Sequence, residues 1–192
     1  MADIVENVKV EAGHGNDTGT KYIIEIKLYK DKVLFEFDTG AALTYIPREL
    51  LRRSFNFILP EIKKHKVIIL ESASGDPMRA CLCKLRDVYI GSVRLKEFYF
   101  YIGLDNTTKS KKRKIALLGR DFSEYSDYSH SMRSGKVTIT AVDREAYIRN
   151  ARNEASALGL RLDSKLDVLD ISALDVSNEQ AKNVAASFRD FY

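Results

Sequence analysis

The chain is 192 residues long, 45% hydrophobic and 30% charged, with a formal net charge of +4, figures that allow one substantial core in an ordinary globular protein. So small a net charge argues against a nucleic-acid or membrane partner, and the longest aliphatic run, Val67-Ile68-Ile69-Leu70, is far too short to span a bilayer. The opening Met1-Ala2-Asp3-Ile4-Val5-Glu6 holds no apolar signal core, so the expected location is cytoplasmic.

Residues 1–20 begin with a short alternation around Ile4, Val5 and Val8, which reads either as an edge strand or as a frayed terminus. Gly13-His14-Gly15-Asn16 then leads into Asp17-Thr18-Gly19, a polar loop with no strand before it. Residues 22–29, Tyr-Ile-Ile-Glu-Ile-Lys-Leu-Tyr, are good strand formers, and Lys30-Asp31-Lys32 turns them into a second strand. There Val33, Phe35 and Phe37 alternate with Leu34 and Glu36. This hairpin delivers Asp38 to the rim of a sheet, into the turn Asp38-Thr39-Gly40-Ala41. Gly40 is free to take backbone angles closed to other residues, and Thr39 can bond neighbouring backbone and stiffen the turn. A carboxylate held in one place is what acid-base catalysis needs.

Pro47 suits the first turn of a helix over residues 48–53, and Phe55, Phe57, Ile58 and Leu59 add bulk before Pro60. Residues 67–70 and 80–89 read as strands joined by Glu71-Ser72-Ala73-Ser74-Gly75-Asp76-Pro77, a projecting hairpin. Cys81 and Cys83, two apart on one strand face, read as reduced, buried filler; no second cysteine or histidine cluster completes a metal site. Further strands over 88–95 and 98–102 make a meander, the pattern of a small β-barrel or sandwich. The basic run Lys109-Ser110-Lys111-Lys112-Arg113-Lys114 has no interleaved aromatics and reads as a solvated loop.

Ile115-Ala116-Leu117-Leu118-Gly119-Arg120-Asp121-Phe122 follows, and Gly135-Lys136-Val137-Thr138-Ile139-Thr140 reads as a closing strand. Beyond it the periodicity changes. Tyr147, Ile148, Ala151, Ala155 and Leu158 recur at helical spacing over 143–158, with Gly159 placed to end the helix. Ser177-Asn178-Glu179-Gln180 has the form of a capping box, with Ala181, Val184, Ala185 and Phe188 on one face behind it.

Asp38-Thr39-Gly40-Ala41, with its strand before it and Thr44, Ile46 and Pro47 after it, resembles the active-site signature of the retropepsin-like aspartic proteases. Leu117-Leu118-Gly119-Arg120-Asp121 resembles the hydrophobic-hydrophobic-Gly-Arg element that those proteins carry near the end of the domain. The resemblance implies a mainly β fold, a closed β-barrel over residues 21–142. The N-terminal arm, 1–20, is then a candidate for pairing across a dimer, and the helical extension, 143–192, lies outside the resemblance and could stabilise a dimer, dock on the barrel or recruit a partner.

The resemblance also implies roles. Asp38 is the catalytic carboxylate, Thr39 and Gly40 lock the loop at a dimer axis, and Ala41 lies along a peptide backbone. Ser74, Gly75 and Asp76 form a flap over the substrate, and Leu118, Gly119, Arg120 and Asp121 support the site from beneath. Family members often have an acid four residues after the catalytic Asp that pairs with this Arg; here it is Ala42, leaving Arg120 to find Asp121, Glu124 or a tail carboxylate. Since one chain offers a single such Asp and the chemistry uses two, the implied form is a homodimer acting on a peptide or protein substrate, with no metal or cofactor. The alternative is a catalytically silent module of the same fold that binds peptides or dimerises.

Overall fold

The computed structural model describes residues 8–12, 20–28, 31–50, 61–105, 116–131, 133 and 136–174. The loop at Asp17-Thr18-Gly19, the continuation of the helix past residue 50, the basic run at 109–114 and the helix expected from Ser177 lie outside these residues.

The fold is mainly β. Alternating apolar residues produce the long strands β2 (Thr20–Leu28) and β3 (Asp31–Phe37), which pair antiparallel with Leu28 opposite Asp31. Ile24, Ile26, Val33, Phe35 and Phe37 all face the core. β1 (Val8–Ala12) pairs with the outer edge of β2, so the first arm is an edge strand here. After the Asp38 turn comes β4 (Tyr45–Ile46), and residues 48–50 are helical. β5 (Val67–Glu71) and β6 (Pro77–Ile90) make the projecting hairpin; β6 runs on to turn at Gly91 into β7 (Val93–Gly103). The two segments expected over 93–102 are thus one strand.

β8 (Ala116–Leu118) inserts between β3 and β4, parallel to the first and antiparallel to the second, while β4 runs parallel to β7. The helical turn α1 (Arg120–Ser123) follows directly. β9 (Ser126–Ser131) and β10 (Lys136–Val142) then pair with each other as a separate two-stranded sheet. β9, Ser-Asp-Tyr-Ser-His-Ser, is too polar to announce itself as a strand.

The expected closed barrel is not what the described strands form. Among the described residues the main sheet has nine strands in the open order β1-β2-β3-β8-β4-β7-β6-β11, the last being Val168–Asp170, with β5 paired to β6 off that path. The reason lies in the edge of β6 away from β7. β5 occupies it from Pro77 to Cys81, and β11 (Val168–Asp170) takes Leu82 to Lys84 in a parallel ladder. Together they cover residues 77–84 of that edge, and β1 pairs with β2 alone.

The segment after residue 142 docks on the sheet as far as it is described. α2 (Arg144–Ala157) starts at Asp143, whose carboxylate accepts the Ala146 amide at 3.0 Å, a cap typically contributing about 1 kcal/mol. Gly159, at φ +71°, ends it as expected. Tyr147 is buried, and its hydroxyl oxygen accepts the Tyr99 amide of β7 at 2.9 Å. Its ring meets Phe122 edge-on at 6.0 Å, Phe122 meets Phe98 at 6.4 Å, and Phe98 meets Phe35 at 6.5 Å. This chain of rings joins α2, α1, β7 and β3 through the core. Cys81 and Cys83 are free and buried in β6.

Tyr147→Phe keeps the ring but leaves the buried Tyr99 amide without its acceptor, a cost of roughly 1–3 kcal/mol. Tyr147→Ala also opens a cavity and costs roughly 3–5 kcal/mol, by analogy with large aromatic truncations. Urea unfolding of both variants checks the order.

Candidate active site

The position of Asp38 is set from β8. Phe37 lies opposite Leu118 in the parallel ladder, and the next amide, that of Asp38, donates to the Leu118 carbonyl at 3.0 Å. The chain then leaves the sheet and the turn folds back on the carboxylate. The Gly40 amide donates to Asp38 Oδ1 at 2.8 Å and the Ala41 amide reaches the same oxygen at 3.3 Å. One oxygen of the carboxylate is therefore fixed by its own loop, in an otherwise exposed turn.

Gly40 leaves room for the carboxylate. Its backbone is not in the left-handed region, which among the described glycines is used by Gly75, Gly91 and Gly159. A Cβ at position 40 would stand 3.1 Å from Asp38 Oδ1, crowding the oxygen that the amide holds. Thr39 is exposed, and among the described residues its hydroxyl makes no bond; the stiffening expected of it comes from the two amides instead.

The far end of the loop is held by Gly119, Arg120 and Asp121. The Arg120 amide donates to the Ala41 carbonyl at 2.9 Å and the Asp121 amide to the Ala42 carbonyl at 3.1 Å. Asp121 then accepts from Thr44 twice, from its amide and its hydroxyl, each at 2.7 Å. The Thr44 hydroxyl oxygen in turn accepts the Gly119 amide at 3.2 Å. Gly119 permits this approach, since a Cβ there would lie 2.6 Å from the Leu43 carbonyl carbon and 2.7 Å from its oxygen. Loop and support are in backbone contact.

Arg120 points its guanidinium outward. Its partner is Glu124, one of the three acids considered for it, at 4.0 Å with both side chains more than half exposed, a pair of little energetic weight. Asp121 is buried, and loss of hydration pushes its carboxyl up to about 7 although the Thr44 hydrogen bonds pull the other way.

Beside the loop, a cleft of about 310 Å³ is lined by Asp38, Thr39, Phe37 and Glu36 on one side and Tyr128 and His130 of β9 on the other. Tyr128 packs edge-on against Phe37 at 4.7 Å and His130 lies against Tyr22 at 5.6 Å. The turn residues Ser74, Gly75 and Asp76 are not among the residues that line this cleft. That turn is exposed and self-bonded, with Ser74 Oγ donating to Asp76 Oδ2 at 2.7 Å and the Ser72 amide to the Asp76 carbonyl at 2.9 Å.

Sequence reading thus finds Asp38, Gly40, Ala41, Leu118, Gly119, Arg120 and Asp121, which the fold brings together. It gives no role to Thr44, Tyr128 or His130. Thr44 had a signal in being a hydroxyl residue between two apolar ones at the start of a strand, and it is fully buried. Tyr128 and His130 had none, because β9 was not legible.

Gly119→Ala forces its new methyl group into the Leu43 backbone. Overpacking of this kind typically costs about 1–3 kcal/mol, and a lowered thermal midpoint with altered amide shifts at residues 38–44 is the expected result.

Comparison with known proteins gives fold likeness only. No family model matches the sequence, and neither does any curated protein. Among solved structures, the chain is similar to a retropepsin-like aspartic protease from Rickettsia conorii, with 18% identity and a TM-score of 0.44 over 73% of this chain and 97% of that one. It is also similar to the retroviral protease-like domain of Ddi1 from Leishmania major, with 14% identity and a TM-score of 0.42 over 62% of this chain and 88% of that one.

Proposed function

We propose that the chain is one half of a homodimeric aspartic endopeptidase of the retropepsin-like kind. The observation that carries this reading is the way Asp38 is held, at a strand end, one oxygen fixed by two loop amides and the loop clamped from a separate part of the chain. That immobilisation is an Asx turn, which also steadies the loop itself. It is what a carboxylate needs to direct a water molecule.

One carboxylate is half of the required chemistry. In a twofold assembly two copies of Asp38 meet at the axis, and like charges roughly 3 Å apart share a single proton. The ionised member takes a proton from the bound water, whose oxygen attacks the peptide carbonyl carbon, while the protonated member gives its proton to the carbonyl oxygen. Collapse of the resulting diol, with a proton passed to the amine, breaks the C–N bond. The pair titrates as a unit. In this reading Thr39 and Gly40, which are exposed at the turn, meet the partner loop, and Ala41 lies along the substrate. The turn at Ser74, Gly75 and Asp76 would serve as cover once a peptide is bound.

No helix among the described residues is long and apolar enough to cross a membrane. The free, buried Cys81 and Cys83 support a reducing compartment such as the cytoplasm.

Asp38→Asn is expected to abolish cleavage of a mixed peptide library at mildly acidic pH while leaving unfolding and sedimentation unchanged. Cleavage by the variant at the wild-type rate, or full activity from a strict monomer, overturns the reading.

A further inference from the structure

β9 carries two rings for which the core has little use. Tyr128 and His130 are two apart on a strand whose other residues are serines and an aspartate, so both leave the same face. Neither is buried, and Tyr128 keeps 39% of its surface open. Side chains left this exposed gain only part of the stabilisation that burial would give. Both line the cleft of about 310 Å³ beside Asp38, where Tyr22 supplies a further ring, 5.6 Å from that of His130.

The lining from β3 is acidic. Glu36 and Asp38 are two apart at the end of the strand, which turns both to the face opposite Val33, Phe35 and Phe37. Among the described residues that line the cleft there is no lysine or arginine. Glu36 makes contacts within the fold, and an ionised carboxylate, with about four acceptor positions, can hold a ligand in addition to an internal partner.

Carboxylates beside tyrosine rings suit one ligand chemistry. A guanidinium stacks flat on an aromatic face and forks onto a carboxylate through two parallel N–H bonds, whereas an ammonium offers only a point charge. An acidic ligand is repelled by Glu36 and Asp38, and an apolar one strips water from their charges without returning a hydrogen bond. The volume lies at the small end of ligand pockets, about 300 Å³, which is room for one long side chain.

We propose that this cleft seats an arginine side chain of the substrate next to the bond cut at Asp38, with Glu36, Tyr22 and Tyr128 as its specificity-determining residues. This names a substrate class for the site described above, and it rests on the peptidase reading for the cut but not for the binding.

Two mixed peptide libraries test it at slightly alkaline pH, alike except that one fixes arginine and the other methionine at the central position. The wild type is expected to cut the arginine library with an apparent kcat/KM about tenfold higher, the cuts falling beside the arginine. Glu36→Gln brings that ratio down towards one, Tyr128→Ala lowers it about fivefold, and Glu36→Lys turns the preference towards a library that fixes glutamate. Equal cutting of the two libraries by the wild type, or a ratio that neither Glu36→Gln nor Tyr128→Ala changes, overturns the proposal.

Binding of the same libraries to the wild type and to Asp38→Asn, followed by fluorescence anisotropy, separates the two readings. Tighter binding of the arginine library beside a wild type that cuts neither sinks the peptidase reading and keeps the arginine seat. Both libraries cut at one rate and bound equally does the reverse.

Discussion

A loop that leaves a sheet takes its backbone amides and carbonyls away from the ladder, and those groups must find partners where the loop is buried. Between β3 and β4 much of this need is met by one short segment, residues 118–121. Leu118 receives the Asp38 amide, Arg120 and Asp121 donate to Ala41 and Ala42, and the Asp121 side chain takes Thr44. All of it depends on Gly119 having no side chain, because the Leu43 carbonyl occupies the space that a Cβ would fill. The geometry of Asp38 is therefore written largely in a part of the chain distant from it.

That segment is itself anchored from behind. Phe122 is fully buried one residue after Asp121, and its ring touches Phe98 of the sheet and Tyr147 of α2. Aromatic burial of this size stabilises by about 2–3 kcal/mol for each ring, far more than an exposed ion pair such as Arg120 with Glu124. The helix beyond residue 142 thus completes the packing under the site. β11 adds to this by placing Val168 and Leu169 in the core and taking part of the free edge of β6. Charges decorate the junction. Asp170 meets Arg86 at 2.6 Å and Lys84 at 3.6 Å, and Lys84 meets Glu97 at 3.4 Å.

The site's two acids have opposite surroundings. Asp38 lines a cleft and is held by amides of an exposed turn, whereas Asp121 is sealed among Thr44, aromatic rings and another acid. Environments this different let one residue type do two jobs, one open to a ligand and one internal to the scaffold.

The amino-acid sequence by itself determined the hairpin that ends at Asp38, the β5 and β6 pair and the helix that Gly159 ends. Each of these is announced by period-2 or helical patterning and by local capping or turn residues, which are properties of neighbouring positions. Only the tertiary structure decided that the sheet stays open, that a three-residue strand from the tail occupies the edge of β6, that the polar β9 lies beside Asp38, and that Thr44 closes onto Asp121. The physical reason is the same in each case. These features are made by pairing between segments far apart in the chain, such as residues 44 and 121 or 82 and 168, and no local pattern in either segment encodes the identity of the other.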